Sequence, residues 1–586
     1  MNKRVNYILL FAFCGILYSC FPDKKNISEK NPVVYSKNIE RTVISPARIV
    51  WLSDSSNVIN ANLLLNKRNS QADLFNNTFC KLVNRNGKQT SILVDYGKEL
   101  HGGLQIVTGR WETTSPLNIR VRFGESVSEA MSELGGEKNA TNDHAIRDWK
   151  LKVPWLGSVE IGNTGFRFVR IDFLDEDAEL LIKELNAIFV LRDIPYLGSF
   201  KSNDERLNKI WETGAYTVHL NMQEYLWDGI KRDRLVWVGD MYPEVKTILS
   251  VFGCNELIPK SLDLIKEKTP LPQWMNGISS YSMWWLLIQY QWYLNSGDWE
   301  YLNSQSEYIF GLLEQMEEYI DENGCEKLNG NRFLDWPTSE DETAIHAGLQ
   351  SMMVMSFTAG NKIATELGKA DKAQHYTNIV NKLIMCKPDS ASRKAAGALM
   401  ALSGLEDPVE INEKLLSINQ LNDISTFYGY YVLDAMALAG NYDGALNIIR
   451  NYWGAMLDLG ATTFWEDFDI KWTKNAACID EMLPEGKTDV HATYGNYCYK
   501  GLRHSLCHGW ASGPTAWLSE YVLGVKVLEP GCTKVKIEPH LGNLQWVEGN
   551  YPTPFGVIKI RHEKRNDGTI NSKITAPKGI VWEYND

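Results

Sequence analysis

The chain has 586 residues and a formal net charge of -12, from 60 Lys and Arg against 72 Asp and Glu. That length exceeds what one hydrophobic core usually serves, so two or three domains are expected. The acidic balance excludes a general nucleic-acid binder, which needs clustered Lys and Arg against phosphates.

At the N-terminus, Lys3 and Arg4 precede an apolar run from Val5 to Leu17 that leads into Leu17-Tyr18-Ser19-Cys20. The run is too short to span a bilayer comfortably, and the pattern resembles a bacterial lipoprotein signal over residues 1–20. Cys20 then becomes the acylated N-terminus, and the expected partner is a membrane, reached through this lipid anchor. No second apolar segment of spanning length follows, so an envelope protein facing the periplasm or the cell surface is expected. Residues 21–45 are polar and suit a flexible tether.

From 46 to about 200 the hydrophobic period is two. Leu117, Ile119, Val121 and Phe123 share one face, and the runs at 91–97, 166–174 and 186–191 behave like further strands. An N-terminal β-sandwich is expected. In Asp95 to Val107 the glycines read as strand turns; their spacing does not match a phosphate-cradling loop.

Around Ser202-Asn203-Asp204-Glu205 the pattern becomes helical, with a capping candidate followed by Leu207, Ile210, Trp211 and Ala215. About twelve helical stretches follow to residue 523. Twelve suggests six antiparallel hairpins, which can close into a ring whose inner helices line a central cavity. From 524 to 586 the period returns to two, giving a small C-terminal β-domain. The cysteines beyond the leader are dispersed and form no CxxC pair, which argues against a zinc site; export permits a disulfide without naming one.

Chemistry concentrates in Trp227 to Glu244, WDGIKRDRLVWVGDMYPE. Asp228, Asp233 and Asp240 supply carboxylates for general acid or base work, and the tryptophans offer faces to pyranose rings. Asp240 also suits a helix cap beside Pro243 and Glu244. Two further acid-aromatic clusters lie at Phe333 to Glu342 and Ala461 to Asp469. Glu466, flanked by Trp465 and Phe468, is the sharper candidate, because partial desolvation suits a base near neutral pH. His508 could serve a sugar hydroxyl or a structural hydrogen bond.

These residues resemble the α-L-rhamnosidases of glycoside hydrolase family 78, whose motif runs approximately D-C-P-x-R, an acid, then W-x-G-D. Asp228, Arg232, Trp237, Gly239 and Asp240 match it, as do the Trp465-Glu466 pair, His508 and the C-terminal block from Leu523 to Gly556. The resemblance implies a multidomain chain with a central all-α (α/α)6 barrel between an N-terminal and a small C-terminal β-sandwich. It implies an exo-acting, inverting hydrolase that releases terminal α-L-rhamnose from a rhamnose-containing glycan or glycoside, with no cofactor and no metal. Asp233 would be the general acid and Glu466 the general base; Asp228, Arg232, Trp237, Asp240, Trp336, Trp465 and His508 would bind substrate.

The chain departs from that pattern where Gly229-Ile230 replaces Cys-Pro, where Asp233 stands for the usual glutamate, and in a slightly shorter loop. An acid among Glu340, Asp341 and Glu342 is therefore an alternative proton donor, and a related sugar an alternative substrate. A non-catalytic glycan-binding lipoprotein on the same scaffold, and more distantly a polysaccharide lyase, are the competing functions.

Overall fold

A computed structural model describes residues 39–67, 69–75, 78–495 and 499–585. The apolar leader, Cys20 and the first part of the expected tether lie outside these residues. Among the described residues, no helix is long and apolar enough to cross a membrane.

The N-terminal region holds strands β1 (Ile39–Ile44), β2 (Arg48–Leu52), β3 (Val58–Ile59), β4 (Cys80–Asn84), β5 (Ser91–Thr108), β6 (Leu117–Gly124), β7 (Asp148–Val153), β8 (Ser158–Phe173) and β9 (Ala178–Arg192), with helix α1 (Val127–Met131) after β6. Hydrogen bonds join them in the order β3-β4-β9-β5-β8-β6-β7, with β1 on β9 and β2 on β5. The long strands β5, β8 and β9 thus belong to one connected sheet. β1 pairs Ile39–Ile44 with Ala187–Arg192, so part of the stretch expected to be tether is a strand. The glycines of Asp95 to Val107 do not turn the chain: they lie within β5, whose register against β8 shifts between Asp95 and Leu100 and again between Gly102 and Leu104. These irregularities fall beside Gly97 and Gly102, whose φ of 87° and 142° lie in the left-handed region that favours glycine. Leu117, Ile119, Val121 and Phe123 are buried on one face, as alternation requires. Each such side chain contributes about 1.5–3 kcal/mol on burial.

Strand β10 (Ser199–Ser202) leaves this region and pairs with a C-terminal strand described below. The helices are α2 (Glu205–Asn221), α3 (Val238–Val251), α4 (Leu257–Lys268), α5 (Ser279–Ser296), α6 (Trp299–Glu317), α7 (Glu342–Glu366), α8 (Ala370–Leu383), α9 (Lys394–Ser403), α10 (Pro408–Ile411), α11 (Gly429–Leu438), α12 (Tyr442–Ile448), α13 (Gly454–Asp458), α14 (Val490–Thr493) and α15 (Gly513–Trp517). Asp204 caps α2 by accepting from the backbone N–H groups of Arg206 and Leu207. In succession α3 packs on α5, α5 on α7, α7 on α9, α9 on α11, α11 on α15, and α15 on α3. The intervening α4, α6, α8, α10 and α12 each contact neighbouring members of that succession. Burial follows that division: α4 buries one stripe through Leu257, Ile258, Leu262 and Ile265, whereas α5 is buried nearly all round.

The C-terminal strands are β11 (Val525–Val527), β12 (Lys534–Ile537), β13 (Trp546–Thr553), β14 (Gly556–Lys564), β15 (Ile570–Thr575) and β16 (Val581–Tyr584). They form one sheet in the order β10-β13-β14-β15 and a second in the order β11-β12-β16. The helical region and the C-terminal strands share one hydrophobic core, in which Val547, Tyr551, Ile558 and Ile560 pack with the helices. The N-terminal sheet has its own core, and Leu220, Ile230 and Cys507 of the helical region enter it. Ile230 is fully buried there against Gly165, whose missing side chain leaves the space it fills. That contact places the motif loop at the junction of the two regions. Cys325 and Cys386 form a disulfide.

Candidate active site

The loop between α2 and α3 carries most of the motif. Asp228 is fixed from three sides: its backbone N–H donates to the Leu235 carbonyl, its Oδ1 accepts from the Leu235 N–H at 3.0 Å, and its carbonyl accepts from the Gly509 N–H at 2.8 Å. Gly229 bridges to His508, so the segment at 507–509 lies directly against the loop. Burial raises the Asp228 carboxyl well above its ordinary value, and the nearby Asp240 and Asp233 carboxylates add to it.

The next four residues reach across to the N-terminal sheet. Lys231 Nζ lies 2.9 Å from Glu125 and 3.3 Å from Glu129, and donates to the carbonyls of Leu502 and His504. Arg232 is buried, meets Asp143 at 3.3 Å, and stacks on the Tyr499 ring at 4.1 Å. Asp233 and Arg234 both have left-handed backbones, with φ of 44° and 55°. Two such non-glycine residues in a row cost about 1–3 kcal/mol each and persist only where the surroundings impose them. Here they do: Arg234 donates to the carbonyls of Asn163 and His144 at 3.0 Å each.

Asp233 is held through both oxygens. Oδ1 accepts from the Tyr499 hydroxyl at 3.0 Å and lies 2.9 Å from His144 Nδ1; Oδ2 accepts from the Trp237 indole N–H at 3.0 Å. Trp237 is the N-cap of α3, so Asp240 sits in the first turn and does not cap the helix. Its Oδ1 instead pairs with His508 Nε2 at 2.9 Å, with both side chains buried. Burial alone would lower the His508 pKa, but the hydrogen bond to Asp240 and the Glu466 and Asp233 carboxylates raise it.

Glu466 enters from the loop after α13. Its Oε2 accepts from the Ser505 N–H at 3.0 Å, and its backbone carbonyl accepts from Thr426 and the Trp510 indole. Burial raises its pKa; His508, the Ser505 N–H and Arg232 oppose that, while Asp233 adds to it. These influences place Glu466, His508, Arg232 and Asp233 within one electrostatic neighbourhood.

The two aromatic residues expected at the substrate, Trp465 and Trp336, differ in exposure. Trp465 is 1% exposed and packs edge-on against Phe468, so it offers no open face for stacking. Trp336 is exposed, and a succession of ring contacts leads from it through Phe333 and Tyr281 to Trp237. The alternative acids are also placed. Glu340 is exposed, Asp341 caps α7, and Glu342 lies 3.7 Å from Arg332 with its side chain 79% exposed. None has the burial that suits a proton donor near neutral pH.

Composition and period gave no sign of Asp143, His144 or Tyr499, which come from irregular segments and meet the motif only through the tertiary fold. Asp335 and Asp467 lie within the two acid-aromatic clusters at Phe333 to Glu342 and Ala461 to Asp469. Both are buried, and burial pushes each up to about 7, with Asp423 adding to it at Asp335 and Asp335 and Glu466 adding to it at Asp467. A metal would find ligand atoms at Glu125, Glu129 and His491, but the cation already seated on both carboxylates is the Lys231 ammonium. The cluster of Cys325, His346 and Cys386 has its sulfurs joined as the disulfide.

Residues 195–385 match the bacterial alpha-L-rhamnosidase six-hairpin glycosidase domain, and residues 524–582 match the bacterial alpha-L-rhamnosidase C-terminal domain. An alpha-L-rhamnosidase of Alteromonas sp. (strain LOR) is 25% identical over 473 residues, covering 72% of this chain and 48% of that protein. The chain therefore spans about half the length of that relative. A family 78 rhamnosidase of Bacillus sp. GL1 superposes with a TM-score of 0.72 at 21% identity, over 89% of this chain and 55% of that one. A rhamnosidase from Klebsiella oxytoca with rhamnose bound superposes with a TM-score of 0.63 at 19% identity, over 82% of this chain and 95% of that one. The chain thus carries two regions that match bacterial α-L-rhamnosidase domains, and its fold is similar to that of solved family 78 rhamnosidases.

Proposed function

We propose that the protein is an exo-acting α-L-rhamnosidase that hydrolyses terminal α-L-rhamnosides with inversion. The observation that carries this reading is the pairing of two differently housed carboxylates: Glu466, buried beside Trp465, and Asp233, held at the domain junction by Tyr499, Trp237 and His144. Environments that separate the behaviour of two carboxyl groups support a division into acid and base. The rhamnose held by the Klebsiella oxytoca relative supports the substrate class.

In the proposed reaction Asp233 donates a proton to the glycosidic oxygen as the bond to the anomeric carbon breaks. Oδ2, with the Trp237 indole on it, is the oxygen that carries the proton; Oδ1 is engaged by Tyr499 and His144. Glu466 removes a proton from a water, whose oxygen bonds to the anomeric carbon from the opposite face. An inverting pair needs its carboxyl groups roughly 6.5–9.5 Å apart to admit that water. The cycle ends with Asp233 ionised and Glu466 protonated, and exchange with solvent restores both. Asp228, Arg232, Trp237, Asp240 and His508 would hold the sugar, with Trp336 on the approach. The ring from α3 to α15 would be an (α/α)6 barrel, and a lipid at Cys20 would tether the enzyme to the cell envelope. Incubation with an aryl α-L-rhamnoside tests the substrate: release of rhamnose is expected, and its absence would overturn the reading.

A further inference from the structure

We propose that His144, contributed by the N-terminal sheet region, is a positioning residue for the general acid and completes a site whose other members lie on the helical region. This rests on the reading of Asp233 as the acid. His144 Nε2 lies 3.2 Å from Arg503 Nη2, and a guanidinium only donates, so this contact requires the lone pair on Nε2, as the 2.9 Å approach of the Asp233 carboxylate to Nδ1 also does. The proton of the neutral ring therefore sits on Nδ1 and points at Asp233 Oδ1, 2.9 Å away. The Asp233 backbone N–H, 3.2 Å from the same Nδ1, would need the opposite tautomer, which would turn an N–H toward Arg503. Burial and then Arg232 lower the His144 pKa, which keeps the ring neutral.

The groups facing the ring are Asp143, Asp233, Arg232, Arg503 and Tyr499. Arg503 also pairs with Asp143 at 2.7 Å, so one arginine fixes both the tautomer and the loop that carries it. A donor on Oδ1 stabilises the carboxylate that forms as Asp233 releases its proton, so it acts where charge develops. Arg234 holds the His144 carbonyl, and the left-handed turn at Asp233 and Arg234 is locked to the same loop. The loop is one in which Asp233 replaces the longer glutamate of the family motif. The imidazole fills in as a rigid partner from outside the helical region.

The test compares His144→Ala and His144→Asn with the full chain on two substrates, 4-nitrophenyl α-L-rhamnoside and methyl α-L-rhamnoside. A nitrophenolate leaves without much protonation, whereas methanol requires it. His144→Ala should lower kcat/KM on the methyl glycoside by about 10²-fold and on the nitrophenyl glycoside by no more than about 5-fold, the asymmetry expected of impaired acid catalysis. His144→Asn, whose amide N–H replaces Nδ1–H, should recover most of the loss. Equal losses on both substrates, or an Asn variant no better than Ala, would overturn the proposal. Should the unmodified protein cleave neither rhamnoside, the parent reading fails instead, which the substitutions do not decide.

Discussion

Lys231 Nζ lies 2.9 Å from Glu125 Oε2 with both side chains buried, and this ion pair fastens the motif loop to the N-terminal sheet region. Burial pushes Glu125 up to about 7 even against the nearby ammonium, whereas Lys231 and Arg147 hold Glu129 below its ordinary value despite its own burial. Lys231→Met would leave the carboxylates facing each other without a cation. Removing one partner of a buried pair costs about 3–5 kcal/mol, so a loss of that order is expected in urea unfolding. A loss below about 1 kcal/mol, the scale of an exposed pair, would contradict it.

Asp335 and Asp467 are pushed up to about 7 by burial, from 3.8 when unperturbed. A group with a raised folded-state pKa contributes stability that is fully present below its unfolded pKa and is lost as pH rises through the folded value. These two therefore weaken the fold progressively between about pH 4 and pH 7. Thermal unfolding of Asp335→Asn and Asp467→Asn across that range should show a flatter decline than the unmodified chain. An unchanged slope would contradict the assignment.

Gly509 illustrates how little room surrounds His508. A Cβ there would lie 1.5 Å from Glu244 Oε1, itself buried and without a hydrogen-bond partner. Gly509→Ala must displace Glu244 or the segment carrying His508. Overpacking of this kind costs about 1–3 kcal/mol, and rhamnoside hydrolysis should fall with it. Normal stability and turnover would show that the segment gives way freely.

Sequence pattern located the regular parts well, because period two and period 3.6 are local properties. The strand at Leu117–Gly124 and the helices from α2 to α12 follow from alternation and amphipathic spacing. Asp228, Arg232, Asp233, Asp240, Glu466 and His508 were nameable from the motif, and their side chains or backbones meet in one neighbourhood. Asp143, His144 and Tyr499 were not nameable. They lie in irregular segments, and their meaning depends on long-range contacts such as Tyr499 with Asp233, 266 positions apart. Trp465 misled for a related reason: a tryptophan beside an acid looks the same in sequence whether its ring faces a cavity or the core.

The disulfide between Cys325 and Cys386 closes a separation of 61 residues. Loop-closure entropy at that length amounts to about 4 kcal/mol as an upper value. Cys325→Ala with Cys386→Ala should lower stability toward that amount, and added reductant should lower the melting temperature of the unmodified chain alone. Equal sensitivity of both proteins to reductant would contradict a structural role.

The most direct test of the acid and base assignment is proton NMR of methyl α-L-rhamnoside during its first turnovers, with the unmodified protein, Asp233→Asn and Glu466→Gln in parallel. The unmodified protein should release β-L-rhamnose first, and each variant should lose turnover by about 10²-fold or more on a substrate with a poor leaving group. First release of α-L-rhamnose, or full turnover by either variant, would contradict the assignment.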